Sequence, residues 1–203
     1  MIISHWLYPV TTLGPGRRLA IWVQGCNRKC QGCVSPELQS YEGMQYDVAY
    51  LANVFLSLIA ENSLDGVTIS GGEPFDQEEE LLQLCSLLTG VEIIVYSGYS
   101  TKELLKNREE PIWNANIAVL ITGPYMQELD DNLPLKGSSN QEIIYRNESV
   151  SQKYVSYLEN TLQRKQQFFI LDENVYMAGI PSKGQASLIR DKIDSILREV
   201  YNK

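Results

Sequence analysis

Short apolar runs alternate with segments of helical periodicity along most of the chain. Four runs have the length and apolar content of strands that are buried on both faces. They cover residues 19–24, 67–70, 91–96 and 117–121. Between them, apolar residues recur every three or four positions over 46–60 and about 77–89, as on one face of a helix. This alternation of strand and helix predicts an α/β fold built around a parallel sheet.

Capping boxes indicate where two of the helices begin. Asp76 followed by Glu79 predicts one at the start of the 77–89 helix, and Ser100 followed by Glu103 predicts another after the third strand. A capping box satisfies N–H groups that the first helical turn leaves unpaired. Both pairs therefore predict helices that begin soon after a strand ends.

The second half of the chain is less regular. Residues 127–149 are rich in Asp, Asn, Gly and Ser, which predicts a long ordered loop or a functional surface. Beyond it, the apolar runs 168–171 and 175–180 predict a hairpin. A last amphipathic helix is marked by Ile189, Ile193, Ile196, Leu197 and Val200.

Composition and charge narrow the class of protein. The chain has 203 residues, of which 44% are hydrophobic and 21% charged, enough apolar material for one core. Lys and Arg number 17 against 25 Asp and Glu, so a nucleic-acid partner is not expected. No apolar run approaches the roughly 18 residues that cross a bilayer, and the first residues do not have the pattern of a secretion signal. We therefore expect a cytoplasmic protein without a membrane partner.

Three cysteines lie within eight residues, directly after the first predicted strand. Cys26, Cys30 and Cys33 form a C-x3-C-x2-C pattern, and a reducing compartment disfavours a disulfide among them. Three thiolates can bind three irons of a 4Fe-4S cubane, leaving the fourth iron free to take a small molecule. A structural zinc ion needs four ligands, and His5 is the sole histidine. Cys85, within a helical pattern, is predicted to be a small buried side chain.

The cysteine spacing resembles that of the radical S-adenosylmethionine superfamily. Gly71-Gly72-Glu73-Pro74, after the second strand, is similar to the superfamily's GGE motif, which binds the amino group of the cofactor's methionyl part. Glycines permit close backbone approach, and a carboxylate complements an ammonium. The resemblance implies a partial (β/α) barrel formed by residues 1–150. It also implies that residues 151–203, the hairpin plus helix, are an extension packed on this core rather than an independent domain.

Further segments, covering about residues 9–144, resemble the activating enzymes of anaerobic ribonucleotide reductase. These segments are Gly14-Pro15-Gly16-Arg17-Arg18, Val23-Gln24-Gly25-Cys26-Asn27, Ser97-Gly98-Tyr99, Gly123-Pro124-Tyr125 and Gly137-Ser138-Ser139-Asn140-Gln141. The resemblance implies cofactor contacts from Ser97, Gly98, Tyr99 and Asn140. Ala118 and Thr122 stand where the family commonly has aspartates, a departure that concerns the substrate more than the cofactor.

The resemblance implies a specific chemistry. A 4Fe-4S cluster on Cys26, Cys30 and Cys33 would cleave S-adenosylmethionine reductively, and the 5'-deoxyadenosyl radical would take a hydrogen atom from a glycine of a partner reductase. A flavodoxin-like protein would donate the electron, and no acid, base or nucleophile of the chain is required. Two alternatives stay open: a radical enzyme that modifies a peptide or small metabolite, and a non-catalytic zinc-binding module.

Overall fold

A six-stranded sheet organises the fold, with its strands in sequence order. The computed structural model describes residues 1–106, 109–172, 174–185, 187–189, 191–193 and 195. The strands are β1 Ile3–Val10, β2 Arg18–Val23, β3 Gly66–Gly71, β4 Glu92–Ser97, β5 Ile117–Thr122 and β6 Glu142–Tyr145. β2 to β5 are parallel to one another, and β1 and β6 pair antiparallel at the two edges. The protein is thus mixed α/β with a parallel centre, and the four predicted strands are confirmed.

Five helices and a hairpin complete the described structure. The helices are α1 Val48–Asn62, α2 Glu78–Leu87, α3 Thr101–Leu105, α4 Glu109–Asn114 and α5 Glu148–Asn160. Short 3-10 helices cover Pro36–Gln39, Pro74–Gln77 and Gln127–Leu129. The predicted hairpin is confirmed as β7 Gln167–Leu171 and β8 Asn174–Ala178. None of these helices is long and apolar enough to cross a membrane.

The helices between the parallel strands cover one face of the sheet. α1 begins at Asp47, whose carboxylate accepts from the Tyr50 N–H at 2.8 Å. Phe55 of α1 and Leu84 of α2 are fully buried in one cluster with the side chains of β2 and β3 that face these helices. Burial of each such side chain contributes roughly 1.5–3 kcal/mol before entropy is considered. This packing fixes the strand ends from which the site residues project.

The other face of the sheet is covered by the C-terminal part of the chain. Tyr154 of α5 is fully buried beside Ile94 and Ile121. Ala178 of β8 is also fully buried and packs in the cluster that contains Trp22. Because both faces are covered, the central strands read as continuous apolar runs rather than as an alternation.

Several sequence predictions for local structure are wrong. Asp76 does not cap a helix, because residues 74–77 form a 3-10 turn capped by the carboxylate of Glu73. The interpretation of 127–149 as a loop misses β6 and the start of α5. The Ser100 and Glu103 capping box is confirmed.

Two further elements are β1, which the sequence pattern did not predict, and the predicted last helix, which the structure describes only in part. β1 was not predicted, since its sequence combines polar Ser4 and His5 with Pro9 and shows no clean alternation. Of the predicted last helix, residues 187–189 and 191–193 are helical. Ile196, Leu197 and Val200 lie outside the described residues.

Candidate functional site

The loops that carry the sequence motifs meet at one edge of the sheet. β2 to β5 are parallel, so their carboxyl ends lie side by side. Together these loops line a cavity of about 480 Å³. The predicted site residues in its lining are Cys26, Cys30, Cys33, Gly71, Gly72, Glu73, Ser97 and Gly98.

Backbone hydrogen bonds join the GGE turn to the start of the cysteine loop. Gly72 N donates to Val23 O at 2.9 Å, and Glu73 N donates to Gly25 O at 2.8 Å. A Cβ at position 72 would lie 2.1 Å from the Gly25 carbonyl oxygen, and Gly71 has a φ of +114°. Side chains do not fit either position, so the two glycines permit this approach of the two loops.

The three cysteines are free thiols, and each is partly exposed to the cavity. Burial raises the pKa of the Cys26 and Cys33 thiols, and the Arg28 N–H, 3.4 Å from Cys26 Sγ, opposes this effect at Cys26. Among the described residues, no three His, Cys, Asp or Glu side chains converge on a point where one metal ion could bind. In a cubane, each of three thiolates binds a different iron.

Glu73 places a buried carboxylate in the wall of the cavity. Glu73 is only 1% exposed. The carboxylate accepts from Ser97 Oγ at 2.9 Å and from the N–H groups of Phe75 at 3.0 Å and Gly98 at 2.7 Å. Burial raises the pKa of Glu73 to about 7, although these three donors work in the opposite direction. A cationic ligand group in the cavity would favour the ionised carboxylate.

Asp76 connects the cysteine loop with the turn after β4. Its carboxylate accepts from Asn27 N at 3.1 Å, from Tyr41 OH at 2.5 Å and from Tyr99 OH at 2.9 Å. The Arg28 guanidinium carbon lies 4.5 Å from the centre of the Tyr99 ring. Asp76 is a residue whose role the sequence predictions missed, and its only signal is its position just after the GGE motif.

The loops after β5 support the rim of the cavity through amide side chains. Gln141 Nε2 donates to Gly123 O at 2.8 Å, and Gln141 Oε1 accepts from Gly137 N at 2.7 Å. Asn140 Nδ2 donates to Pro124 O at 2.8 Å. Asn140 is outside the cavity lining, whereas Gly123, Gly137 and Gln141 belong to it.

Pro74 and Tyr99 also lie outside the lining. Pro74 begins the 3-10 turn, and Tyr99 holds the Asp76 carboxylate. These two predicted residues therefore stand behind the cavity in this structure, one step from the surface that a ligand would touch.

A carboxylate lies near the end of β5, although Ala118 and Thr122 stand where aspartates were expected. Ala118 and Thr122 are 2% and 1% exposed. Thr122 Oγ1 lies 2.7 Å from Thr101 Oγ1, which in turn donates to the carboxylate of Glu142 on β6. The acidic group near this strand end thus comes from the neighbouring strand.

The sequence predictions also missed the contribution of the C-terminal part. Gly179, Ile180, Pro181, Ser182 and Gly184 line the cavity, as do Gln127 and Asp130 of the segment 127–149 that was predicted to be an ordered loop or a functional surface. No motif marks the segment after β8, so nothing in the sequence alone could have assigned it to the site.

Comparisons with known proteins agree with this geometry. The family model described as "4Fe-4S single cluster domain" matches residues 12–144. The anaerobic ribonucleoside-triphosphate reductase-activating protein of Escherichia coli K12 is 28% identical over 149 residues, covering 68% of this chain and 96% of that protein. The protein of the same name from Pasteurella multocida is 30% identical over 150 residues (68% and 94%), and that of phage T4 is 26% identical over 144 residues (68% and 90%). The chain therefore belongs to the 4Fe-4S single cluster domain family and is a radical S-adenosylmethionine enzyme of the reductase-activating type.

Proposed function

We propose that the chain binds a 4Fe-4S cluster on Cys26, Cys30 and Cys33 and uses it to cleave S-adenosylmethionine. The resulting 5'-deoxyadenosyl radical generates a glycyl radical on an anaerobic ribonucleotide reductase. One observation carries the proposal: the cysteine loop, the GGE turn and the Ser97-Gly98 turn line a single cavity. The four parallel strands and the site at their carboxyl ends further support a partial (β/α) barrel of the radical S-adenosylmethionine type.

The chain's own residues bind and orient the cofactor. Gly71 and Gly72 line the cavity and hold the GGE turn close to the cysteine loop, and Glu73 would accept hydrogen bonds from the amino group of the cofactor's methionyl part. Ser97 and Gly98 contact its carboxylate and ribose. The bound cluster and cofactor supply the electron transfer and the carbon–sulfur bond cleavage.

The remaining predicted residues act by holding these loops. Pro74 sets the turn after Glu73, Tyr99 fixes Asp76, and Asn140 ties its loop to Pro124. In place of the direct contacts expected from the sequence, we assign them the role of keeping the cofactor-binding surfaces in position.

The partner is proposed from the relatives' names and from the chemistry of the site. Seven of the curated relatives are named as activators of anaerobic ribonucleoside-triphosphate reductase. A flavodoxin-like protein fits as electron donor, because the cluster needs a single low-potential electron. Three free, partly exposed cysteines fit the reducing environment of the cytoplasm.

The test begins with anaerobic reconstitution of the full chain. Wild-type protein should bind about four irons per chain, show the brown absorbance of a cluster and release 5'-deoxyadenosine with a chemical reductant. Alanine variants at positions 26, 30 and 33 should lose all three properties. Cys85→Ala is the matched control, since this cysteine is fully buried in α2 and should leave the cluster unchanged.

The partner is tested by mixing. Reduced protein and cofactor with purified anaerobic ribonucleotide reductase should give a glycine-centred doublet in the electron paramagnetic resonance spectrum. Cofactor cleavage without the doublet would indicate an enzyme acting on a peptide or metabolite. A colourless protein that forms no 5'-deoxyadenosine would refute both enzyme functions.

A further inference from the structure

The chain continues beyond the range that matches its family, and this continuation forms one side of the cavity. The family model ends at residue 144. Residues 179–184, called the wall segment here, follow β8 and contribute five residues to the lining beside the cysteines and strand ends. The match to relatives therefore does not account for this side of the site.

Arg164 fastens the wall segment to the loop after β5. Its side chain is 2% exposed, and its five N–H groups all have acceptors. Nη1 donates to Pro181 O at 3.1 Å and pairs with Asp130 Oδ1, which is equally buried, at 2.9 Å. The other donors reach the carbonyls of Leu133, Lys136 and Gly137. A buried guanidinium is stable only when its fork is satisfied in this way.

Further contacts hold the wall segment along its length. Gln166 Nε2 donates to Ile180 O at 2.9 Å, and Lys183 N donates to Asn132 Oδ1 at 3.0 Å. Gly179 has a φ of +120°, and a Cβ there would lie 2.3 Å from Lys165 O. The backbone is thus fixed at both ends and in the middle, as a static wall would be.

The cavity has a volume typical of a ligand site. Ligand sites range over about 300–1,000 Å³, and this one has about 480 Å³. A nucleoside-sized cofactor would fit in that volume. The wall segment forms one side of the space around it.

We propose that the wall segment is a specificity element: it forms one side of the opening through which the partner's glycine-bearing peptide segment reaches the bound cofactor. Arg164 is the positioning residue that holds it. The proposal rests on the proposed function, and a wall on this side would orient the partner's segment and restrict the access of water to the bound cofactor.

Two variants test the proposal on the full, reconstituted chain. Arg164→Met removes the clamp, and Ile180→Ala keeps the clamp but trims the wall. Arg146→Met is the matched control, because Arg146 is exposed and its guanidinium bonds to Asn116 outside the cavity lining. We expect both test variants to form fewer glycyl radicals per 5'-deoxyadenosine, by at least fivefold, and to show a raised KM for the reductase.

Two readouts need no reductase. Trypsin should cut after Lys183 in Arg164→Met but not in wild type or Arg146→Met. EDTA should bleach the cluster absorbance at least threefold faster in Arg164→Met and Ile180→Ala.

The outcomes separate the two proposals. The proposal for the wall segment would be overturned if the folded test variants matched wild type in four quantities. These are the number of glycyl radicals per 5'-deoxyadenosine, the KM for the reductase, the tryptic pattern and the bleaching rate. If Arg164→Met fails to fold, Ile180→Ala alone decides through coupling and bleaching. A wild-type protein that cleaves the cofactor but forms no glycyl radical would refute the proposed partner, and the tryptic and bleaching results would still decide whether the wall exists.

Discussion

Replacing Arg18 with Met should destabilise the protein far more than replacing Lys153, although both cations pair with the same carboxylate. Arg18 is completely buried and lies 3.2 Å from Glu92 Oε1. Its remaining donors bond Thr68 Oγ1 and the carbonyls of Pro15, Val67 and Glu92. Arg18 thus pairs with an acidic neighbour and also holds the loop before β2.

The magnitude follows from burial. Arg18→Met removes the buried cation beside Glu92, which keeps Lys153 and Tyr154 as donors, and takes a donor from Thr68 Oγ1 and from three carbonyls that are buried or partly buried. Removing one partner of a buried pair costs about 3–5 kcal/mol. Lys153 Nζ lies 2.8 Å from Glu92 Oε2, but its side chain is 49% exposed. An exposed pair contributes about 0.2–1 kcal/mol. For a chain of this size, these values correspond to a fall in Tm of roughly 6–20 °C for Arg18→Met and below about 4 °C for Lys153→Met.

The assay is thermal unfolding of the reconstituted proteins, followed by circular dichroism at one scan rate. Arg18 lies at the strand ends opposite the cysteine loop, so iron content at low temperature should stay at the wild-type level. Equal falls in Tm for the two variants would refute the reasoning that burial determines how much each ion pair contributes to the stability of the protein.

Three further predictions concern carboxylates. Asp76→Asn weakens the bonds that hold the cysteine loop and removes a negative charge beside the cluster site, so the cluster potential should rise; an unchanged potential in spectroelectrochemical titration would contradict this. Because Glu73 has a pKa of about 7, S-adenosylmethionine binding should weaken about tenfold from pH 8 to pH 6, and Glu73→Gln should abolish this dependence in equilibrium dialysis. Burial opposes ionisation of Glu92, yet Lys153, Tyr154 and Arg18 hold its pKa below the ordinary value. The stabilisation that ionised Glu92 gives the folded protein is therefore present above pH 4.5 and lost as the pH falls. Glu92→Gln should flatten the acid limb of the curve of Tm against pH.

The parallel centre of the fold could be predicted because its strands are buried on both faces. The runs ending at Val23, Ser97 and Thr122 carry no competing polar pattern, so their positions and their strand type are evident from the sequence alone. Edge strands lack this signal. β6 is only four residues long and partly exposed, and its neighbours are the polar residues that were interpreted as a loop.

The residues of the site also divide into those that the sequence predicts and those that it does not. Cys26 and Glu73 are found by spacing, because their chemistry requires fixed residue types next to strand ends. Asp76 was assigned to a helix cap, since a carboxylate three residues before another acidic residue has the same local pattern in either role. Arg164 could not be found at all, because its partners are mainly backbone carbonyls from a loop about thirty residues away, and carbonyls leave no trace in the identity of a residue.

The late position of the wall segment has a consequence for how the protein matures. Chains fold from the N-terminal end as they leave the ribosome. The cysteine loop and the turns after β3 and β4 are complete within the first hundred residues, whereas the wall segment is made some eighty residues later. A chain that has not yet made the wall segment lacks this side of the cavity, and we expect it to take up iron and sulfide faster than the full chain.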